Sequence, residues 1–217
     1  MRLSELPGVV TTAMLLTCAI PPAVAGQHAA PRPRGPLASF ASQHIIVLPV
    51  QYLRQDDRLG WGAAIPSDRR YLATVDAEIR YALVQRGLGK LWTFPNQLER
   101  EVKRNPTYAP DPYDLAAGWL RYPLKKAPDQ LPDPLASQIR SLIAFEDGAR
   151  YLLFPVEVRF AAADSGRQYA SLRVVVLDAR MSTIVWMGDV GGDPDTKFSP
   201  ALAVTVAEHL ADLIAAP

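Results

Sequence analysis

The chain has 217 residues, 20 of them proline, and its 23 basic and 22 acidic side chains leave a formal charge of +1. That length suffices for one domain with a sizeable core. The near balance of charge gives no long-range field for nucleic acid or anionic lipid, so neither is expected as a partner on electrostatic grounds.

The chain begins with a targeting pattern. Arg2 and Glu5 precede an uncharged run from Leu6 to Gly26, whose most apolar part is "VVTTAMLLTCAI". Pro21-Pro22 breaks any helix, and Ala23-Val24-Ala25 is the small-x-small pattern of a signal-peptidase site. Residues 1–25 therefore read as a signal peptide. The alternatives are a retained membrane anchor, since the run is long enough to span a bilayer, and lipid modification at Cys18 in the near-lipobox "LLTC". The expected location is periplasmic or extracytoplasmic, either soluble after cleavage or associated with a membrane through the N-terminal segment. Cys18 is the only cysteine. Once the leader is removed, neither a disulfide nor thiol chemistry remains.

Residues 26–43 read as a proline-rich linker. "HIIVLPV" (44–50) is a buried strand, and residues 51–66 are a polar loop. Ser67 caps a helix that runs to Arg86, with Leu72, Val75, Ile79, Ala82 and Leu83 on one face and Gly87 as its stop. "KLWTFP" (90–95) is a second strand, and residues 96–104 are a short charged helix. Residues 105–134 hold seven prolines with Tyr108, Tyr113, Trp119 and Tyr122 among them. They form an extended insertion with room for a short helix around 114–120.

Asp133-Pro134 opens the next helix, which carries Leu135, Ile139, Leu142, Ile143 and Glu146 on one face. "RYLLFPVEVRF" (150–160) is a strand with Leu152, Phe154, Val156, Val158 and Phe160 on one face and Glu157 and Arg159 on the other. "RQYASLRVVVLD" and "TIVWMGDV" follow as a hairpin. Leu172, Val174 and Val176 should face helices, Ser171 and Arg173 should face out, and Arg173 should pair with Glu157 across the sheet. Ser199-Pro200 caps a terminal helix that buries Leu202, Val206, Leu210, Leu213 and Ile214.

The fold class is α/β (α+β). It has a mixed sheet of about five strands ending in an antiparallel meander, with helices packed on the sheet, in one domain over 44–217 with the insertion at 105–134. The "IIVLPV" strand, the helix that runs into "GARYLLFPVEV", and "LRVVVLDARMSTIVW" before a terminal helix resemble a recurring envelope module. It is found in the amino-terminal domain of TolB, the curli-secretion lipoprotein CsgG and the peptidoglycan-synthase activator LpoB. The resemblance covers most of residues 44–215 in order of elements, and is specific at Gly148 to Leu153 and Leu172 to Trp186. It implies the same fold and an envelope setting. The chain departs from the module in its insertion, and it has no pore-forming hairpin pair of the CsgG kind.

No constellation points to catalysis. His28, His44 and His209 share no metal-ligand spacing. "RGLGK" (86–90) follows a helix and precedes a strand, the reverse of a phosphate loop. "DSGR" lacks the nucleophile-elbow spacing. Asp189, Asp193 and Asp195 in "GDVGGDPDTK" lack the pattern of a calcium loop. No catalytic, cofactor or metal residue is assigned, and an enzyme is not expected.

The expected function is that of a non-catalytic exported envelope protein, an accessory or extrinsic subunit docking on a membrane or cell-wall protein complex. The alternatives are a periplasmic small-ligand or glycan-binding module that uses the aromatic insertion, and an enzyme with an unrecognised site. Tyr108, Tyr113, Trp119 and Tyr122 are the expected partner-binding residues, with Trp61 as a further candidate.

Overall fold

The computed structural model describes residues 35–54, 60–107, 109–124, 128, 130–146 and 148–215. The leader, Cys18, His28 and Tyr108 lie outside them. The first apolar run forms β1 (Ile45–Val47), the centre of the sheet's parallel part. All three of its residues are buried because both faces of the strand are covered, the condition that produces an unbroken apolar run. β2 (Tyr52–Arg54) follows the Pro49 break and continues in the same direction. Next come α1 (Asp68–Gln85), β3 (Trp92–Thr93), α2 (Pro95–Arg104) and α3 (Leu135–Ile143). β4 (Tyr151–Ala162), β5 (Gln168–Asp178), β6 (Thr183–Gly191) and α4 (Ala201–Ile214) complete the chain.

The strand order is β3-β1-β4-β5-β6, with β2 also paired to β4. β1 is parallel to β3 and β4, and β4, β5 and β6 form the antiparallel meander. The sheet thus has six strands. β2 was hidden in the expected polar loop because it is short, half-buried and without apolar alternation.

Two apolar layers sandwich this sheet. The first packs α1 and α4 against Ile45, Val47, Leu153, Leu172, Val174 and Val176. The five-residue stripe expected on α1 is the set it buries. Ser67 accepts from the Arg70 N–H, and Gly87 ends the helix at φ 83°, a left-handed conformation that glycine adopts without strain. Residues 35–43 also belong to this layer. Leu37 is buried, and its N–H donates to the Leu213 carbonyl. The proline-rich linker therefore does not extend to residue 43.

The second layer packs α3 and the insertion against Ile46, Leu48, Leu152, Phe154, Val175 and Leu177, and Leu98 of α2 joins it. Leu115, Ala117, Leu120 and Leu131 of the insertion are buried here, so the insertion is structural as well as exposed. Among its described residues the helical turn is the 3-10 segment Gly118–Arg121. Gln51 ties it to the break after β1: its side-chain nitrogen donates to the Pro49 and Pro112 carbonyls, and its oxygen accepts from Leu115 N–H.

Two local expectations are corrected. β4 does not keep one apolar face, because the register slips between Pro155 and Glu157. Leu152, Phe154 and Val156 enter the second layer, while Val158 and Phe160 cross to the first. At α4, Ser199 makes no side-chain cap. The helix starts after Pro200, with backbone bonds to the Ser199 and Pro200 carbonyls.

Candidate functional site

The bulge in β4 has a chemical consequence on the insertion side. It places Glu157 under the insertion, where the residue is 1% exposed. A carboxylate so placed needs compensation. Arg121, at the end of the insertion's 3-10 turn, donates Nε to Glu157 Oε1 at 2.6 Å. Arg54 of β2 brings Nη2 to 2.9 Å from Oε2, an ion pair whose angles are not those of a hydrogen bond.

Arg173 of β5 stands opposite Glu157 in register, as expected, but its guanidinium is engaged elsewhere. It grips Asp189 of β6 with two bonds of 2.8 and 2.9 Å, and donates its remaining arm to the Arg121 carbonyl at 2.8 Å. Arg159 adds a bond to Asp189 at 2.8 Å. The expected Arg173–Glu157 pair is thus replaced by two linked pairs. Arg173 and Ser171 are also buried rather than outward-facing, because this side of the sheet is covered. Asp189 belongs to a strand, not to the glycine-rich loop. Burial works to raise its carboxyl, but the Arg173 hydrogen bond and the charges of Arg159 and Arg173 hold it below the usual carboxylate range.

Among the described residues this network puts the Arg54, Arg121, Arg159 and Arg173 guanidiniums beside the Glu157 and Asp189 carboxylates. Two tyrosines accompany it. The Arg121 guanidinium carbon lies 4.8 Å from the centre of the Tyr52 ring, and that of Arg54 lies 6.0 Å from the Tyr122 ring. Tyr122 is 60% exposed. Arg54, Arg121 and Arg159 keep over a quarter of their side-chain surface open.

The other expected aromatics go elsewhere. Trp119 is partly buried against the second layer, and its indole nitrogen has no protein hydrogen-bond partner among the described residues. Tyr113 lines a groove with α1 and α2. Trp61 is 6% exposed, edge-on to Phe160 at 5.7 Å and Phe198 at 6.3 Å, and so fills the first layer. The structure therefore gathers Tyr122 with Arg54 and Arg121, for which the sequence suggests no such role, as well as with the strand residues Arg159 and Arg173. A signal for them existed: Glu157, Arg159 and Arg173 interrupt strands that are otherwise apolar.

The groove at Tyr113 has a volume of about 400 Å³. It is lined by Val50 and Gln51 after β1, by Asp68, Arg69, Leu72, Ala73 and Asp76 of α1, and by Glu99 of α2. One oxygen of Asp76 accepts from the Val50 N–H at 2.9 Å. Burial pushes the Asp76 carboxyl up to about 7 against the lowering effect of that bond. Asp76 sits four residues after Leu72 and three before Ile79, on the side of α1 that faces the core.

His44 and His209, the histidines among the described residues, lie away from both sites. His44 Nε2 is 3.9 Å from Glu146. His209 Nδ1 meets the Gly191 carbonyl at 2.6 Å, with Asp193 3.6 Å from its other nitrogen. Among the described residues no group of histidine, cysteine and carboxylate side chains is arranged to hold a metal, and no helix is long and apolar enough to cross a membrane.

No family model matches the chain, and no curated protein does. Solved structures do resemble it. A PelC dodecamer from Paraburkholderia phytofirmans is 14% identical, with 84% of this chain and 94% of that one covered and a TM-score of 0.38. The NMR structure of E. coli LpoB is 15% identical, with coverage of 90% and 88% and a TM-score of 0.39. The C-terminal domain of LpoB from Salmonella enterica is 12% identical, with coverage of 68% and 79% and a TM-score of 0.35. LpoB is among the proteins whose module the sequence resembles.

Proposed function

We propose that this chain is a non-catalytic exported envelope protein, an accessory or extrinsic subunit that docks through its insertion face on a membrane or cell-wall protein complex. Export and any membrane association rest on the pattern of residues 1–25. The docking reading is carried by one observation: an exposed Tyr122 standing over the Arg54 guanidinium, beside the arginines gathered around Glu157 and Asp189. Tyrosine and arginine dominate binding hot spots because they bury much area at little cost in conformational freedom. The charged groups here are bound to one another, an arrangement that suits recognition better than turnover.

The test is a pull-down from cross-linked envelopes with the native chain and a Tyr122→Ala variant. The native chain should retain a protein complex, and the variant should lose it while keeping its melting temperature. Retention of the same complex by a folded variant would contradict this face as the docking surface.

A further inference from the structure

The groove beside Asp76 lies at a particular place in the topology. β1 and β3 are parallel neighbours, and their onward connections leave on opposite sides of the sheet. After β1 the chain runs through β2 into α1, which packs in the first layer, while α2 follows β3 and sends Leu98 into the second. Neighbouring strands whose connections diverge leave a crevice outside their carboxyl ends, where open α/β sheets bind ligands. Val50 and Gln51, just after β1, and Pro95 and Asn96, just after β3, border the groove and its continuation. Its volume of about 400 Å³ lies within the range of small-molecule sites.

The lining selects the chemistry. The apolar wall is Leu72, Ala73 and the Tyr113 ring. Asp76 and Glu99 bring carboxylates to a lining that also holds Asp68 and Arg69. Asp76 has one oxygen held by the Val50 N–H, which fixes the carboxyl's orientation. Burial against an apolar wall makes its negative charge costly, and a bound cation would remove that cost. We propose that this groove is a binding site for an alkylammonium group, with its ammonium on Asp76 and its alkyl stem against Leu72 and Tyr113. The site is independent of the insertion-face docking surface. The ammonium could belong to a free amine or to the lysine side chain of a polypeptide, and the two sources are separable.

The experiment uses the full chain, amide-labelled for NMR, titrated at millimolar concentrations with three probes: n-butylamine, a lysine blocked at both backbone ends, and neutral n-butanol. The amine probes should shift the amides of Val50, Ala73 and Tyr113, and butanol should not. Binding of both amines supports a site open to free amines, and binding of the blocked lysine alone supports a polypeptide source. Asp76→Asn should keep the native spectrum elsewhere and lose at least about tenfold in affinity, and Glu99→Gln should lose less. The groups facing Asp76 are Asp68, Arg69 and Arg80 of α1, Glu99 of α2 and Tyr113 of the insertion. With Asp76 titrating near 7, affinity should rise about tenfold from pH 6 to pH 8. Equal binding by butanol, unchanged affinity in a folded Asp76→Asn chain, or no shift with either amine would overturn the proposal.

Discussion

The two faces of the sheet are buried by opposite means. On the first, α1 and α4 lay regular apolar stripes on Leu172, Val174 and Val176, and the helices are tied at one end by an Arg86–Asp212 ion pair. On the second, two shorter helices and a proline-rich insertion do the covering, and part of the buried surface is ionic. Among the described residues, each face also exposes a tyrosine to a similar degree, Tyr81 at 62% and Tyr122 at 60%. Tyr81 stands on a helix of the regular face, while Tyr122 stands over a guanidinium of the ionic one. Burying charge gives little stability compared with burying apolar surface of the same shape. A face that retains such a network is therefore the better place to look for recognition.

The largest break of this contrast is Glu157→Ala. It would strand Arg54 and Arg121 without their shared carboxylate, and the expected loss is about 3–5 kcal/mol in urea unfolding. The matching cut on the regular face, Leu210→Ala, should cost about 2–5 kcal/mol through the cavity it leaves. The two differ in what repairs them. An apolar replacement of similar size at Glu157, combined with neutralising changes at Arg54 and Arg121, should restore much of the loss.

Asp76→Asn moves stability the other way. The folded carboxyl titrates near 7, above its unfolded value near 4, so the native state holds a proton there that the unfolded chain has released. Native stability from this group is full below about pH 4 and declines as pH rises towards 7. Asparagine removes that decline, and the variant should be about 2–4 kcal/mol more stable than the native chain at pH 8, with little difference at pH 4. Thermal melts at the two pH values check this. Asp189 behaves oppositely. Its arginines hold it low, so the stability it supplies is present above about pH 4 and lost below that value as pH falls through its folded pKa.

A smaller effect sharpens the regular face. A Cβ at Gly192 would stand 2.6 Å from Thr205 Oγ1 and 2.9 Å from the Val206 nitrogen. The first neighbour can rotate away, but the second is backbone. Gly192→Ala should therefore push α4 off the end of β6 and cost about 1–3 kcal/mol, read as a lowered melting temperature.

How much of this was legible followed from the range of the interactions involved. The α1 stripe, the Gly87 stop and the β5–β6 hairpin rest on local periodicity, and the structure reproduces them, whereas α3 ends at Ile143, short of Glu146 and of the stop expected at Gly148. The face switch in β4 was not legible from alternation alone, because a bulge is a property of the pairing with β5. The partners of Glu157 were hidden for a related reason. Arg54 and Arg121 lie on segments far away in sequence, and only β2's pairing and the insertion's turn bring them together. The insertion's aromatic composition pointed to surface contact, but its leucines, which bind it to the core, carried equal information. Asp76 could have been found, since a carboxylate among Leu72, Val75 and Ile79 on one helical face has to be explained.

The most direct test of the account places a photo-cross-linking residue at position 122 or at position 81 of the exported chain in intact cells. The two sites are matched in exposure and differ in which face of the sheet they report. The account predicts a discrete protein adduct from position 122, and none from position 81. An adduct from position 81 alone, or none from position 122 in a folded and exported chain, would contradict docking through the insertion face.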